Sequence, residues 1–164
     1  MIKQKPEAQK IISLLQQQQA ALQQMLGILQ REYQALTAND LKAFDKAVEE
    51  KQLQARTLEE LEHHFQPLIE MMGGTIDKES LDTIINGMEL VSEKNQLQSI
   101  WEEFLATLNS CDEQNRVNNR VLESSRINIR QALDILRGEI SNPALYSASG
   151  KENPDDQGNS LAIA

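Results

Sequence analysis

The feature that most constrains this chain is a run of evenly spaced side chains from Leu97 to Leu136. Leu97, Trp101, Phe104, Leu108, Cys111, Asn115, Asn118, Leu122, Ser125, Ile129, Ala132 and Leu136 follow one another in alternating steps of four and three. That rhythm keeps one face of an α-helix in line, as in a coiled coil or a long bundle helix. Gly138 stands where a helix C-cap glycine belongs, with Arg137 in the last turn and Pro143 just beyond. A helix from near 92 to 137 would span about 70 Å at 1.5 Å per residue. Asn115, Asn118 and Ser125 dilute the stripe in its middle. Either these polar residues fix register, or this half of the helix is only partly covered and receives another helix.

The residues before it read as further helices. From near 6 to 36, Ala8, Ile11, Leu15, Leu22, Met25, Leu29 and Leu36 form one stripe, completed by Gln18 and Glu32 and widened by Ile12, Leu26 and Tyr33. The glutamine run Gln16–Gln19 sits inside this pattern and reads mostly as a solvated face. Thr37-Ala38-Asn39-Asp40 interrupts the rhythm with good N-cap residues. A second helix over 40–66 then places Leu41, Phe44, Val48, Lys51, Ala55, Leu58, Glu62 and Phe65 on one stripe. Pro67 is expected to kink or end it, with Met71-Met72-Gly73-Gly74 closing the segment. The first two helices, joined by so short a turn, should lie antiparallel. A short helix over 78–86 is expected, capped by Asp77 or Ser80 and ended by Gly87.

The expected fold class is therefore all-α. A long antiparallel helical hairpin packs on a longer C-terminal helix, giving a helical domain over 1–140 and a tail over 141–164. The tail has two prolines, two glycines and little periodicity from Asn142 onward, so it is expected to be disordered in isolation. It nevertheless carries Tyr146 beside Leu145. Either this pair folds back on the end of the bundle, or it is an anchor for a different protein.

Charge and composition narrow the function. The net charge of −9 argues against a nucleic-acid surface and an anionic membrane. It is unevenly spread, with five arginines against four acids in residues 111–138 but one base against four acids in 139–164. The single cysteine rules out an intrachain disulfide framework and points to a reducing compartment. Neither a signal peptide nor a membrane span is legible, and a cytoplasmic protein is expected. Glu60-Leu61-Glu62-His63 has the Glu-x-x-His spacing of di-iron bundles, yet a second copy is missing. The adjacent His63 and His64 lie about 100° apart on a helix and suit no shared zinc ion. Cys111 falls on the apolar stripe and reads as a small core residue. No metal, cofactor or catalytic constellation emerges, and the expectation is a binding protein rather than an enzyme.

The sequence resembles the FlgN family of flagellar type III export chaperones. The resemblance is carried by Leu36-Thr37-Ala38-Asn39-Asp40-Leu41, Lys51, Trp101, the Asn115-x-x-Asn118 pair, Leu133 to Gly138, the tail NPALYSASGK and terminal Ser160-Leu161-Ala162. It implies a cytoplasmic chaperone that binds the terminal helical segments of hook-associated proteins. It also implies that the chaperone prevents premature assembly and delivers its cargo to the membrane export gate. By the same resemblance, Val117, Val121, Leu122, Ile129, Leu133 and Leu136 are the candidate cargo contacts. Leu145 and Tyr146 would dock on the cytoplasmic domain of the gate protein. The interval from Lys151 to Asn159, acidic and proline-containing, is not aligned by the resemblance, and its contacts stay unassigned. The competing expectation is a coiled-coil scaffold that self-associates through its long helix.

Overall fold

In the computed structural model, residues 4–75 and 77–138 are described. They form four helices: α1 (Gln4–Ala38), α2 (Leu41–Met71), α3 (Lys78–Asn86) and α4 (Val91–Leu136). The all-α expectation holds. The expected tail, including Leu145 and Tyr146, lies outside the described residues. The chain divides into two compact units, Met1–Leu122 and Glu123–Ala164.

In the first unit the α1–α2 turn is tight because two short polar residues make it. Asn39 takes the left-handed region at φ 53°, which asparagine tolerates better than most residues. Asp40 then caps α2, its carboxylate accepting from the backbone N–H of Ala43 at 3.0 Å. The two helices are antiparallel, as the turn required: Arg31 pairs with Glu50, Glu32 with Lys51, and Gln54 donates back to the Ala21 carbonyl. α4 instead runs parallel to α1. Gln19 meets Thr107, Leu22 meets Cys111 and Leu29 meets Asn118, a nearly constant offset along both helices.

Apolar residues from all four helices fill one end of this unit. Ile11, Ile12 and Leu15 of α1, Phe65 and Ile69 of α2, Leu81, Ile84 and Ile85 of α3, and Leu97 and Trp101 of α4 form a single buried cluster. Farther along, a thinner three-helix core holds Leu22, Met25, Leu29 and Cys111. α3 is short but well started: Asp77 caps it by accepting from the Ser80 N–H at 2.7 Å.

Two expectations are corrected. α2 does not stop at residue 66 but continues through Pro67 to Met71. Proline removes one backbone donor and costs about 3 kcal/mol in a helix interior. Continuing the helix sets Ile69, fully buried, one turn beyond Phe65 in the same cluster, and burial of such a side chain contributes about 1.5–3 kcal/mol. The glutamine run is also not one solvated face. Gln16 and Gln17 are exposed, but Gln18 and Gln19 are buried. Four consecutive residues sweep about 300° around a helix, so such a run cannot stay on one side.

Candidate functional site

The motif residues come together first. Lys51 donates from Nζ to both carboxylate oxygens of Glu32, at 3.3 and 3.2 Å, and to Asn115 Oδ1 at 2.8 Å. Asn118 donates from Nδ2 to Glu32 Oε2 at 2.7 Å and to the Leu29 carbonyl at 2.8 Å, while its own Oδ1 accepts from Gln114. This polar knot ties α1, α2 and α4 across a core otherwise built from leucines. Asn115 and Asn118 thus hold three helices in register. Trp101 serves the fold as well: its ring stacks on Phe104 at 5.4 Å, and its indole N–H donates to Asp82 of α3 at 3.2 Å. Cys111 is buried, its thiol directed at the Leu22 carbonyl, and burial pushes its pKa up. A thiol so placed is a poor nucleophile.

The outer end of α4 has the opposite character. In the second unit Ile129 is 61% exposed, Leu133 44% and Leu136 82%, with Ile127 and Ile135 also exposed. Isolated exposed leucines are ordinary, but five large aliphatic side chains within three turns of one helix are not. Ile129 and Leu133 share a shallow depression with Ile127, with Arg126, Arg130 and Arg137, and with the carboxylates of Glu123 and Asp134. Glycine ends the helix as expected, Gly138 adopting φ 73°.

The sequence-derived cargo residues are therefore spread over both units. Val117 and Val121 are partly buried in the first unit, and Leu122 there is exposed. Ile129, Leu133 and Leu136 are exposed in the second. Ile127 and Ile135 escaped notice because they lie off the four-three stripe. So did a groove in the first unit of about 380 Å³. Its lining includes Leu22, Leu58, Phe65, Leu81, Trp101 and Phe104, brought together from all four helices. His63 and His64 are both exposed. Among the described residues no group of three or more His, Cys, Asp or Glu side chains could hold a metal ion, and no helix is long and apolar enough to cross a membrane.

The FlgN protein family model matches residues 1–154. The chain belongs to the FlgN family. No curated protein and no solved structure matches it. FlgN is a family of flagellar export chaperones rather than enzymes, so this member's work is to bind flagellar proteins. Among the described residues that carried the resemblance, two groups stand apart from the α1–α2 turn at Leu36 to Leu41. Lys51, Trp101, Asn115 and Asn118 hold the bundle together, whereas Leu133 to Gly138 close an apolar end of α4.

Proposed function

We propose that this FlgN-family chain holds the terminal helical segments of hook-associated proteins in the cytoplasm, keeps them from assembling early, and delivers them to the flagellar export gate. Its client contacts are Val117, Val121 and Leu122 of the first unit, and Ile129, Leu133 and Leu136 of the second. The observation that carries this reading is the exposure of large aliphatic side chains along the outer end of α4. An unassembled filament-type protein exposes apolar helical stripes that would otherwise pair with its own copies. A helix offering a matching stripe competes for them through burial of leucines, and its polar rim supplies selectivity. Release at the gate requires moderate affinity, which a short open strip suits better than a deep closed groove. Leu145 and Tyr146 are the proposed gate-docking pair.

The test uses purified hook-associated protein in a pull-down. Changing Ile129 and Leu133 together to Asp should abolish capture while circular dichroism stays helical. Tyr146→Ala should leave capture intact and weaken binding to the gate's cytoplasmic domain. Normal capture by the double variant would remove the client surface from α4. Light scattering with and without client decides against a self-associating scaffold if a defined heterocomplex forms.

A further inference from the structure

We propose that the client segment taken by this surface is an acidic amphipathic helix whose carboxylate edge lies along a one-sided row of arginines on α4. The inference rests on the reading of the outer end of α4 as the client surface and adds the chemistry of what it accepts. At about 100° per residue, Ile129, Leu133 and Leu136 fall within about 60° of one another around the helix axis. Arg126, Arg137 and Arg130 occupy the next 60° or so on one side of that strip. On the other side lie Ser125, Ala132 and Asn128, none of them charged. Around the helix axis the carboxylates Glu123 and Asp134 come next after the arginines, and both line the same depression as Ile129 and Leu133. Arg126 reaches back to Glu123 at 3.3 Å but leaves its side chain 74% exposed, and Arg130 and Arg137 are exposed too. The apolar strip thus has a cationic border on one edge and a neutral border on the other.

Residue type sharpens the point. Five of the seven arginines lie between Arg116 and Arg137, and no lysine occurs between Lys94 and Lys151. The guanidinium is a planar fork that takes a carboxylate through two parallel hydrogen bonds, which an ammonium cannot do. In a chain of net charge −9 an acidic client is repelled by most of the surface and steered towards this edge. The asymmetry also sets rotation: a helix with acids on one flank can seat its leucines in only one facing.

The experiment uses the full chain and two synthetic helical peptides with one leucine seam, identical except that one flank carries glutamates or lysines. Binding is followed by fluorescence anisotropy at about 50 mM and 500 mM salt, which differ severalfold in screening. The glutamate peptide should bind on the order of tenfold more tightly at low salt, the preference shrinking at high salt. Arg126→Glu with Arg130→Glu and Arg137→Glu should invert the preference while helicity is kept. Equal affinity for the two peptides, or an uninverted preference in the triple variant, overturns the proposal. The client surface itself survives either result if Leu133→Asp still abolishes binding. If Leu133→Asp leaves both peptides bound, the surface reading falls and takes this one with it. A fourth chain neutralises the acids beyond α4 (Glu139→Gln, Glu152→Gln, Asp155→Asn, Asp156→Asn). Glutamate-peptide binding seen only in that variant would assign the arginine row to the chain's own acidic segment, and would also overturn the proposal.

Discussion

Removing Lys51 should harm the fold more than removing its partner Glu32. The two form one ion pair, but only one of them can escape to water. Glu32 keeps 8% of its side chain exposed and Lys51 keeps 29%, with a long stem that can carry the ammonium outward. Lys51→Met leaves the Glu32 carboxylate buried with the Asn118 N–H as its remaining partner. Stranding a buried charge costs about 3–5 kcal/mol, and the partial exposure of Lys51 lowers the expected loss to about 2–3 kcal/mol. Glu32→Met strands nothing comparable. Lys51 can turn to solvent or keep Asn115, and Asn118 keeps the Leu29 carbonyl, so a loss of about 1 kcal/mol is expected. The double variant replaces the pair by two thioether chains and should lie within about 1 kcal/mol of the parent. Urea unfolding followed at 222 nm resolves these differences, since 2–3 kcal/mol moves a midpoint by roughly 1–2 M. Equal losses in the two single variants, or a double variant as unstable as their sum, would refute the reasoning.

Two further outcomes test local structure. Pro67→Ala restores a backbone donor within α2 and should raise stability by about 1–2 kcal/mol, the gain being trimmed by the greater freedom of the unfolded chain; an unchanged urea midpoint would contradict it. The Asp77 carboxyl is held below its ordinary 3.8, first by the hydrogen bond from the Thr75 hydroxyl and then by the Ser80 N–H at the start of α3. Because its folded value lies below the unfolded one, its contribution is complete above pH 3.8 and fades as pH falls through the depressed value. Carbon-detected NMR titration should place its midpoint below 3.8, and Thr75→Val should return it upward; a midpoint unmoved by that change would refute the assigned cause.

The helices were legible because the long-range instruction is periodic and local. The four-three stripe announces α4 from Leu97 to its end at Leu136, and Asp40, Asp77, Gly87 and Gly138 mark boundaries by local chemistry that acts within a few residues. What escaped depends on partners far away in sequence. Nothing local says that Pro67 will be tolerated, because its compensation is Ile69 packing among residues of the other three helices. Gln19 is likewise buried by its position against α4, where Thr107 accepts from its amide while its own Oε1 is left unpartnered. The candidate surface was half legible. Leu122, Ile129 and Leu136 follow the stripe, but Leu133, Ile127, Ile135 and the one-sided placement of the arginines lie off it and emerge only when residues are arranged around the helix rather than along it.

That difference separates two meanings of a polar residue on an apolar stripe. Asn115 and Asn118 interrupt the seam of α4 and at first suggest a gap awaiting a partner. In the folded chain they meet Glu32 and Lys51, so the interruption on one helix is answered by matching interruptions on two others. Most buried polar groups are answered in this way, since an unpaired one, such as Gln19 Oε1, costs about 1–3 kcal/mol. Past Glu123 the large apolar side chains are themselves exposed, and Arg126, Arg130 and Arg137 beside them remain in contact with water. Selection for stability alone would replace Ile129, Leu133 and Leu136 by glutamate or lysine, which favour helix equally and solvate better. Their presence beside an arginine edge answers no requirement of the bundle described above, and the client helix proposed above is the occupant that would cover them.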